Sequence, residues 1–309
     1  MPILDHTYGT LPVAFPDRPH QTAGMFAAYI VCHLPDVAEH RLKRRLNLHK
    51  QLRWWRQMTD IPVHVFASNW TTLGLANDPE IALLTQHGGS VTVVPPQPLI
   101  LNRIACLSAF YASEHRWGIM MDDDAVLYDG AAYNSGGAFF SEMARNAPAS
   151  YRDVDVFFPI NPAKLPGQNQ IWQGAPTLYA DHHVFEANYD LKGSMFVVRN
   201  FRLDGRPQVL PPASHRLHGE DTLFAIEAIS KGCTVFRCGN IVLKEFSGQS
   251  HFRHSKAVIR TGNIAIAAMY AAQGLQINAA PARAHLLDRS AMLANCIAGR
   301  PKTNIVRKP

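Results

Sequence analysis

The sequence predicts an α/β fold with a mostly parallel central sheet flanked by helices. Two observations carry this. Short apolar runs alternate with longer segments of helical periodicity through the first 120 residues, which is the pattern of parallel strands joined by crossover helices. With 47% hydrophobic and 17% charged residues over 309 positions, the chain can also bury a large core, which argues against disorder.

Residues 1–23 carry Pro12, Pro16 and Pro19 among mixed polar residues and read as an irregular arm. The apolar run 26–32 reads as the first buried strand, and Val37 to Met58 as a basic helix. A strand over 63–67, a helix from Pro79 to His87 and a strand over 90–94 follow. A helix from Leu99 to His115 then delivers the chain into a strand ending at Met121. In the second half the strands expected are 154–160, 193–199 and 235–238. A helix starts near Glu220 and is stopped by Gly232, and an Ala- and Ile-rich helix spans 255–272. The loop 163–177 is long enough to act as a cover. One domain over 1–309 is expected, in two halves at 24–130 and 150–275, with a basic tail at 276–309.

Five cysteines (Cys32, Cys106, Cys233, Cys238 and Cys296) include no C-x-x-C pair, so they read as reduced, mostly buried thiols. The N-terminal residues lack the basic and apolar regions of a signal peptide, and no apolar stretch is long enough to span a bilayer, so a cytoplasmic protein is expected. The net charge of +6 is concentrated. Arg41, Lys43, Arg44, Arg45, Lys50, Arg53 and Arg56 place seven positives in sixteen residues with no acid among them, and without those seven the chain carries −1. A basic face of this kind, with Arg300, Lys302, Arg307 and Lys308 in the tail, suits a polyanion such as DNA; a solvated helix face is the alternative.

The motif that carries most chemistry is Trp117-Gly118-Ile119-Met120-Met121-Asp122-Asp123-Asp124, an apolar strand ending in three carboxylates. Adjacent negative charges repel, so a cation is required at the strand end, and a divalent Mn²⁺ or Mg²⁺ shared with nucleotide phosphates is the simplest. In extended chain, residues i and i+2 share a side, which selects Asp122 and Asp124 as the metal pair. Three further groups accompany it. Glu220 and Asp221 sit at a helix start, where the helix dipole favours carboxylates and either acid could act as general base. His251, and less so His254, could complete a metal site, while Arg253 and Lys256 could meet a diphosphate. Asn102-Arg103 opens the helix before the acidic strand, where the arginine could reach a phosphate or simply form a surface ion pair. Trp54, Trp55 and Trp70 are core anchors or a stacking platform.

Together these elements resemble the GT-A glycosyltransferases over about residues 24–255. That family has a Rossmann-like first half, a strand entering D-x-D, a later Glu-Asp at a helix start and a C-terminal histidine. Within it, Leu101-Asn102-Arg103-Ile104, the Gly118–Asp124 segment and Glu220-Asp221 are similar to the phage TET-associated glycosyltransferases, which modify hydroxymethylated pyrimidines in DNA. The resemblance implies Mn²⁺ or Mg²⁺ on Asp122, Asp124 and His251. It implies a nucleotide-diphospho-sugar, with UDP the expected nucleotide, against His33, Asn102, Arg103, Asp122, Asp123 and Lys256. Asp221 or Glu220 would serve the acceptor, and the location would be a host cytoplasm. DNA would be held by the Arg41–Arg56 helix and the tail. Transfer to a glycan, protein or small molecule is the alternative. A nucleotidyltransferase is disfavoured because His33-Leu34-Pro35 stands where a phosphate loop would follow the first strand, and a non-catalytic DNA-binding protein because an acidic triplet without a metal costs stability.

Overall fold

The structure, a computed structural model, describes residues 15–70, 77–129, 136–150, 154–160, 178–179, 195–215, 220–231, 233 and 235–246. The first half follows the expected alternation: β1 (Phe26–His33), α1 (Ala38–Met58), β2 (Val63–Ser68), α2 (Pro79–Gln86), β3 (Ser90–Val94), α3 (Leu99–Ala112) and β4 (Trp117–Asp122). β1 pairs in parallel with β2 on one side and β4 on the other, and β2 pairs in parallel with β3. The chain therefore builds outward from β1 to β3, then returns past β1 to lay down β4.

The helices divide between the two faces of this sheet. Phe26, Ala28, Ile30 and Cys32 of β1 pack with Leu48, Leu52, Trp54, Trp55 and Met58 of α1, while Ala27, Tyr29 and Val31 pack with Cys106, Leu107 and Phe110 of α3. Strands buried on both faces read as continuous apolar runs, which is why β1 and β4 stand out in the sequence. Because α1 and α3 leave on opposite faces, the order reverses between β1 and β4. In open α/β sheets a crevice forms at such a point, beyond the carboxyl ends of the strands.

The remaining elements are β5 (Ala125–Asp129), α4 (Gly136–Ser150), β6 (Val156–Ile160), β7 (Leu178–Tyr179), β8 (Met195–Arg199), α5 (Glu220–Ser230) and β9 (Val235–Glu245). The sheet order is β3-β2-β1-β4-β8-β6-β9-β5, with β7 also on β9. β8 is antiparallel to β4 and β6, β6 is parallel to β9, and β5 and β7 are antiparallel to β9. Six strands (β1 to β4, β6 and β9) thus share one direction, and the sheet is mostly parallel as expected. β9 is longer than the sequence suggests. Val235–Cys238 pair with β6 and Ile241–Glu245 with β5, and the pairing with β6 shifts register between Pro159 and Ile160.

Two local details position the acidic strand. A Cβ built on Gly118 would lie 2.6 Å from Phe110 Cγ, so only glycine lets α3 rest this closely on β4. Trp54 and Trp55 are fully buried, packed edge-to-face at 4.8 Å, and Trp70 is buried as well, so all three are core residues rather than a stacking platform. The cysteines described with their side chains, Cys32, Cys106 and Cys233, are free and buried. No helix among the described residues is long and apolar enough to cross a membrane. The loop 163–177, the helix expected at 255–272 and the basic tail lie outside the described residues.

Candidate active site at the end of strand β4

β4 ends at Asp122, and Asp123 and Asp124 turn the chain into β5. The turn is held from two sides. Gln51 of α1, fully buried, donates its Nε2 to the carbonyls of Asp122 (2.8 Å) and Ala125 (2.7 Å), and the Phe246 amide at the end of β9 donates to the Asp124 carbonyl at 2.6 Å. These contacts correct the extended-chain argument for the metal pair. Asp122 and Asp124 do not share a side of one strand, because the strand has already ended; burial is what sets Asp123 apart. Asp123 has 1% of its side chain exposed, against 30% for Asp122 and 23% for Asp124.

The charge that offsets the triplet is supplied first by the protein. Arg103, fully enclosed beneath the strand end, donates Nη2 to Asp122 Oδ1 at 2.8 Å and Nη1 to the Met121 carbonyl at 3.2 Å. Arg44 of α1 places Nη1 3.0 Å from Asp123 Oδ1 and 2.9 Å from Asp124 Oδ2. A metal is not the only cation that can settle the triplet, and Arg103 is not half of a surface pair but the buried partner of Asp122. Arg44, grouped with the other positives of its helix, went unrecognised as a site residue; its partners lie 80 positions away, and no local pattern announces them.

The balance still favours a further cation. Burial pushes the Asp122 carboxyl above the usual carboxylate range against the pull of Arg103, and Asp124, Glu220 and Asp123 push it further. Burial likewise raises Asp123 against Arg44. Four carboxyl groups, Asp122, Asp123, Asp124 and Glu220, thus act on one another and face two guanidiniums. Asp122 Oδ2 and Asp124 Oδ1 have no hydrogen-bond or ion-pair partner among the described residues. Hard oxygens on two partly exposed carboxyls, in a cluster where acids outnumber guanidiniums, fit a divalent ion of the Mn²⁺ or Mg²⁺ kind. Among the described residues no group of three ligands is assembled, and His251 lies outside them.

The other predicted residues divide. Glu220, buried at the start of α5, acts electrostatically on both Arg103 and Asp122, so it belongs to this site; Asp221 is buried beside it. His33 ends β1 at the rim of the crevice, with Nδ1 2.8 Å from Ser68 Oγ of β2, and burial followed by Arg44 lowers its pKa, favouring the neutral imidazole at neutral pH. Asn102 is buried, and its Oδ1 accepts from Gln97 Nε2, in the segment just before α3, at 2.6 Å. Arg253, His254 and Lys256, like His251, fall outside the described residues.

The basic helix also reads differently in three dimensions. Arg41 pairs with Asp36, Arg44 with Asp123 and Asp124, Arg45 with Asp78, and Arg53 and Arg56 with Glu80. Lys50 is buried with its ammonium 4.2 Å from the centre of the Phe246 ring. Most cations of this helix therefore already pair with acids of the same domain, as the alternative reading of a solvated helix face also allows.

The fold and site define a doubly wound α/β protein with a carboxylate centre at the reversal point of its sheet. No family model and no curated protein matches the chain. Among solved structures it is similar to a mannosyltransferase from Pyrobaculum calidifontis in complex with GDP-Man and Mn²⁺, at 14% identity over 94% of this chain and 78% of that one, with a TM-score of 0.45. It is also similar to GalNAc-T7 with UDP, GalNAc and Mn²⁺ (11% identity, 77% of this chain and 48% of that one, TM-score 0.47), so that it spans about half of that protein. A third similar structure, from Desulfovibrio desulfuricans G20, is described as a nucleotide-diphospho-sugar transferase (9% identity, 80% and 98%, TM-score 0.37). Likenesses this loose carry no functional argument, and the reading that follows rests on the site.

Proposed function

We propose that the protein is a metal-assisted glycosyltransferase that moves a sugar from a nucleotide-diphospho-sugar, a UDP-sugar first among the candidates, to a hydroxyl acceptor. The observation that carries this reading is the acidic turn at the reversal point of the sheet, where Asp122 and Asp124 stay partly exposed and each keeps one oxygen without a partner among the described residues. Asp122 and Asp124 would hold the divalent ion, with His251 as a third ligand; when bound, the ion neutralises charge on the departing diphosphate. Arg103 and Gln51 keep the two acids in place. His33 at the rim of β1 offers a neutral imidazole to the donor, and Glu220 or Asp221 takes the proton of the acceptor hydroxyl or positions it.

The acceptor is proposed only as a hydroxyl. A hydroxymethylated pyrimidine in DNA is one form of it, supported by the short motifs around Arg103, Asp122 and Glu220 and by the basic tail, but not by α1, whose arginines are paired. The test is donor hydrolysis and transfer with a panel of nucleotide sugars and Mn²⁺, on wild type and Asp124→Asn, with hydroxymethylated DNA, unmodified DNA and simple glycans as acceptors. Metal-dependent donor turnover that is lost in the variant supports the reading, and the acceptor that gains sugar names its class. Absence of any donor turnover across the panel, or turnover indifferent to Asp124, would overturn it.

A further inference from the structure

Arg44 stands apart from the other cations of α1 because it reaches the acidic turn, and its two partners there differ. Asp123 is sealed, with 1% of its side chain exposed, and cannot turn to an ion arriving from solvent without opening the turn that Gln51 and Phe246 hold. Asp124 is 23% exposed; its Oδ2 accepts from the same Nη1 at 2.9 Å, and its Oδ1 has no partner among the described residues. The guanidinium thus hydrogen-bonds the partly exposed carboxylate and meets the sealed one as an ion pair at 3.0 Å, outside hydrogen-bond geometry. A divalent cation settling on Asp124 would meet a positive charge already in contact with that carboxylate, and two cations at one carboxylate repel strongly in a partly buried site.

We propose that Arg44 is a built-in counter-cation that competes with the metal for Asp124. It holds the acidic turn together before loading, yields Asp124 to the incoming ion and stays paired with Asp123, so that it sets the metal affinity of the site. This rests on the metal-binding reading given above, with Asp124 as a ligand. It goes beyond that reading by assigning a function to a residue of the basic helix, and it accounts for why one arginine of that helix bridges two carboxylates of unequal exposure.

The experiment measures Mn²⁺ binding to the full chain without donor, from the electron paramagnetic resonance signal of free Mn²⁺. Replacing Arg44 alone by an apolar residue strands the buried Asp123 charge and endangers the fold. The informative comparison is therefore R44M/D123N, which removes both, against D123N. The expected result is roughly tenfold tighter binding in the double variant, the size of a lost competing charge-assisted hydrogen bond. R44K serves as the second variant: its shorter ammonium stays on Asp123 and releases Asp124, so it should bind Mn²⁺ more tightly than wild type by a smaller factor. A purely structural role for Arg44 predicts unchanged or weaker binding in both comparisons, and that result would overturn the proposal. Should wild type and Asp124→Asn bind Mn²⁺ equally, or neither bind, the metal-binding reading fails and takes this proposal with it. Binding that Asp124→Asn abolishes but the Arg44 variants leave unchanged would sink the role of Arg44 alone.

Discussion

Replacing Arg103 by Met isolates the electrostatics beneath the acidic turn. Met keeps an unbranched apolar stem, so packing against the neighbouring Phe196 ring, whose centre lies 5.8 Å from the guanidinium carbon, is largely preserved. What disappears is a fully enclosed cation donating to Asp122 Oδ1 at 2.8 Å and to the Met121 carbonyl at 3.2 Å. Removing one member of a sealed ion pair costs about 3–5 kcal/mol, because the other charge stays buried without compensation. Asp122 keeps 30% of its side chain exposed, so water recovers part of that loss, and the lower end, about 3 kcal/mol, is expected. With a urea m-value of about 3 kcal/mol/M for a chain of this size, the unfolding midpoint should fall by about 1 M. The companion R103M/D122N leaves neither charge behind and should regain most of the loss, and the four-species cycle reports the coupling directly. The reasoning is refuted if R103M unfolds within about 1 kcal/mol of wild type, or if R103M/D122N is no more stable than R103M.

Three other outcomes follow from the packing and pairing. Gly118→Ala places a Cβ 2.6–2.7 Å from three ring carbons of Phe110 and should destabilise by about 1–3 kcal/mol in urea unfolding, with part of the loss recovered when Phe110→Leu is added; equal stability of Gly118→Ala and wild type would show that α3 can slide on β4. Gln51→Leu strips the donor from the Asp122 and Ala125 carbonyls and should lower stability by about 2 kcal/mol or more, and a thermal melt within error of wild type would mean the turn is held without it. For Glu80, burial pushes the carboxyl up, but hydrogen bonds from Arg56 and Arg53 outweigh it and hold the pKa below the usual range; Asp78, bonded to His49 and Arg45, behaves alike. Such groups stabilise the fold above the unfolded carboxylate pKa of about 4, and lose that contribution as pH falls through the depressed folded values. Glu80→Gln should therefore flatten the acid limb of a stability–pH curve, and an unchanged slope between about pH 5 and pH 3 would contradict the pairing.

The half of the fold that positions the site was legible because β1 and β4 are buried on both faces and so appear as unbroken apolar runs between periodic helices. The second half was less so. β5 follows the acidic turn at once, and the period-2 signal of its five residues is too short to separate from a loop. α4 was missed because Gly136, Gly137 and Pro148 argue against a helix that Phe139, Phe140 and Met143 stabilise by burial in the α1 face of the core. In the candidate site, Asp122 and Asp124 stood out because carboxylates at the end of a fully apolar strand are unusual, and Glu220 because it opens a helix beside a second acid, where the dipole favours negative charge. Gln51 and Arg44 did not, because each acts on residues more than 70 positions away and neither belongs to a local motif.

The basic run of α1 shows why a charge pattern along a sequence is a poor guide to a surface. Seven positives without an intervening acid look like a footprint for phosphate, yet Asp36, Asp78, Glu80, Asp123 and Asp124 come to them from three other segments. Asp78 shows how economical the arrangement is: one oxygen caps α2 by accepting from the amides of Glu80 and Ile81, and the other takes Arg45 at 2.8 Å and His49 at 2.7 Å. All of these pairs but Arg41–Asp36 fasten α1 to the start of α2 or to the acidic turn, so these arginines have a structural role whether or not the helix also meets a polyanion. If its charge is satisfied within the folded domain, any steep salt dependence of acceptor binding originates elsewhere on the chain. Acceptor affinity measured between 50 and 200 mM salt on Arg45→Gln and Arg53→Gln separates the cases: a slope equal to wild type fits paired arginines, whereas a shallower slope in either variant would return the helix to the acceptor surface.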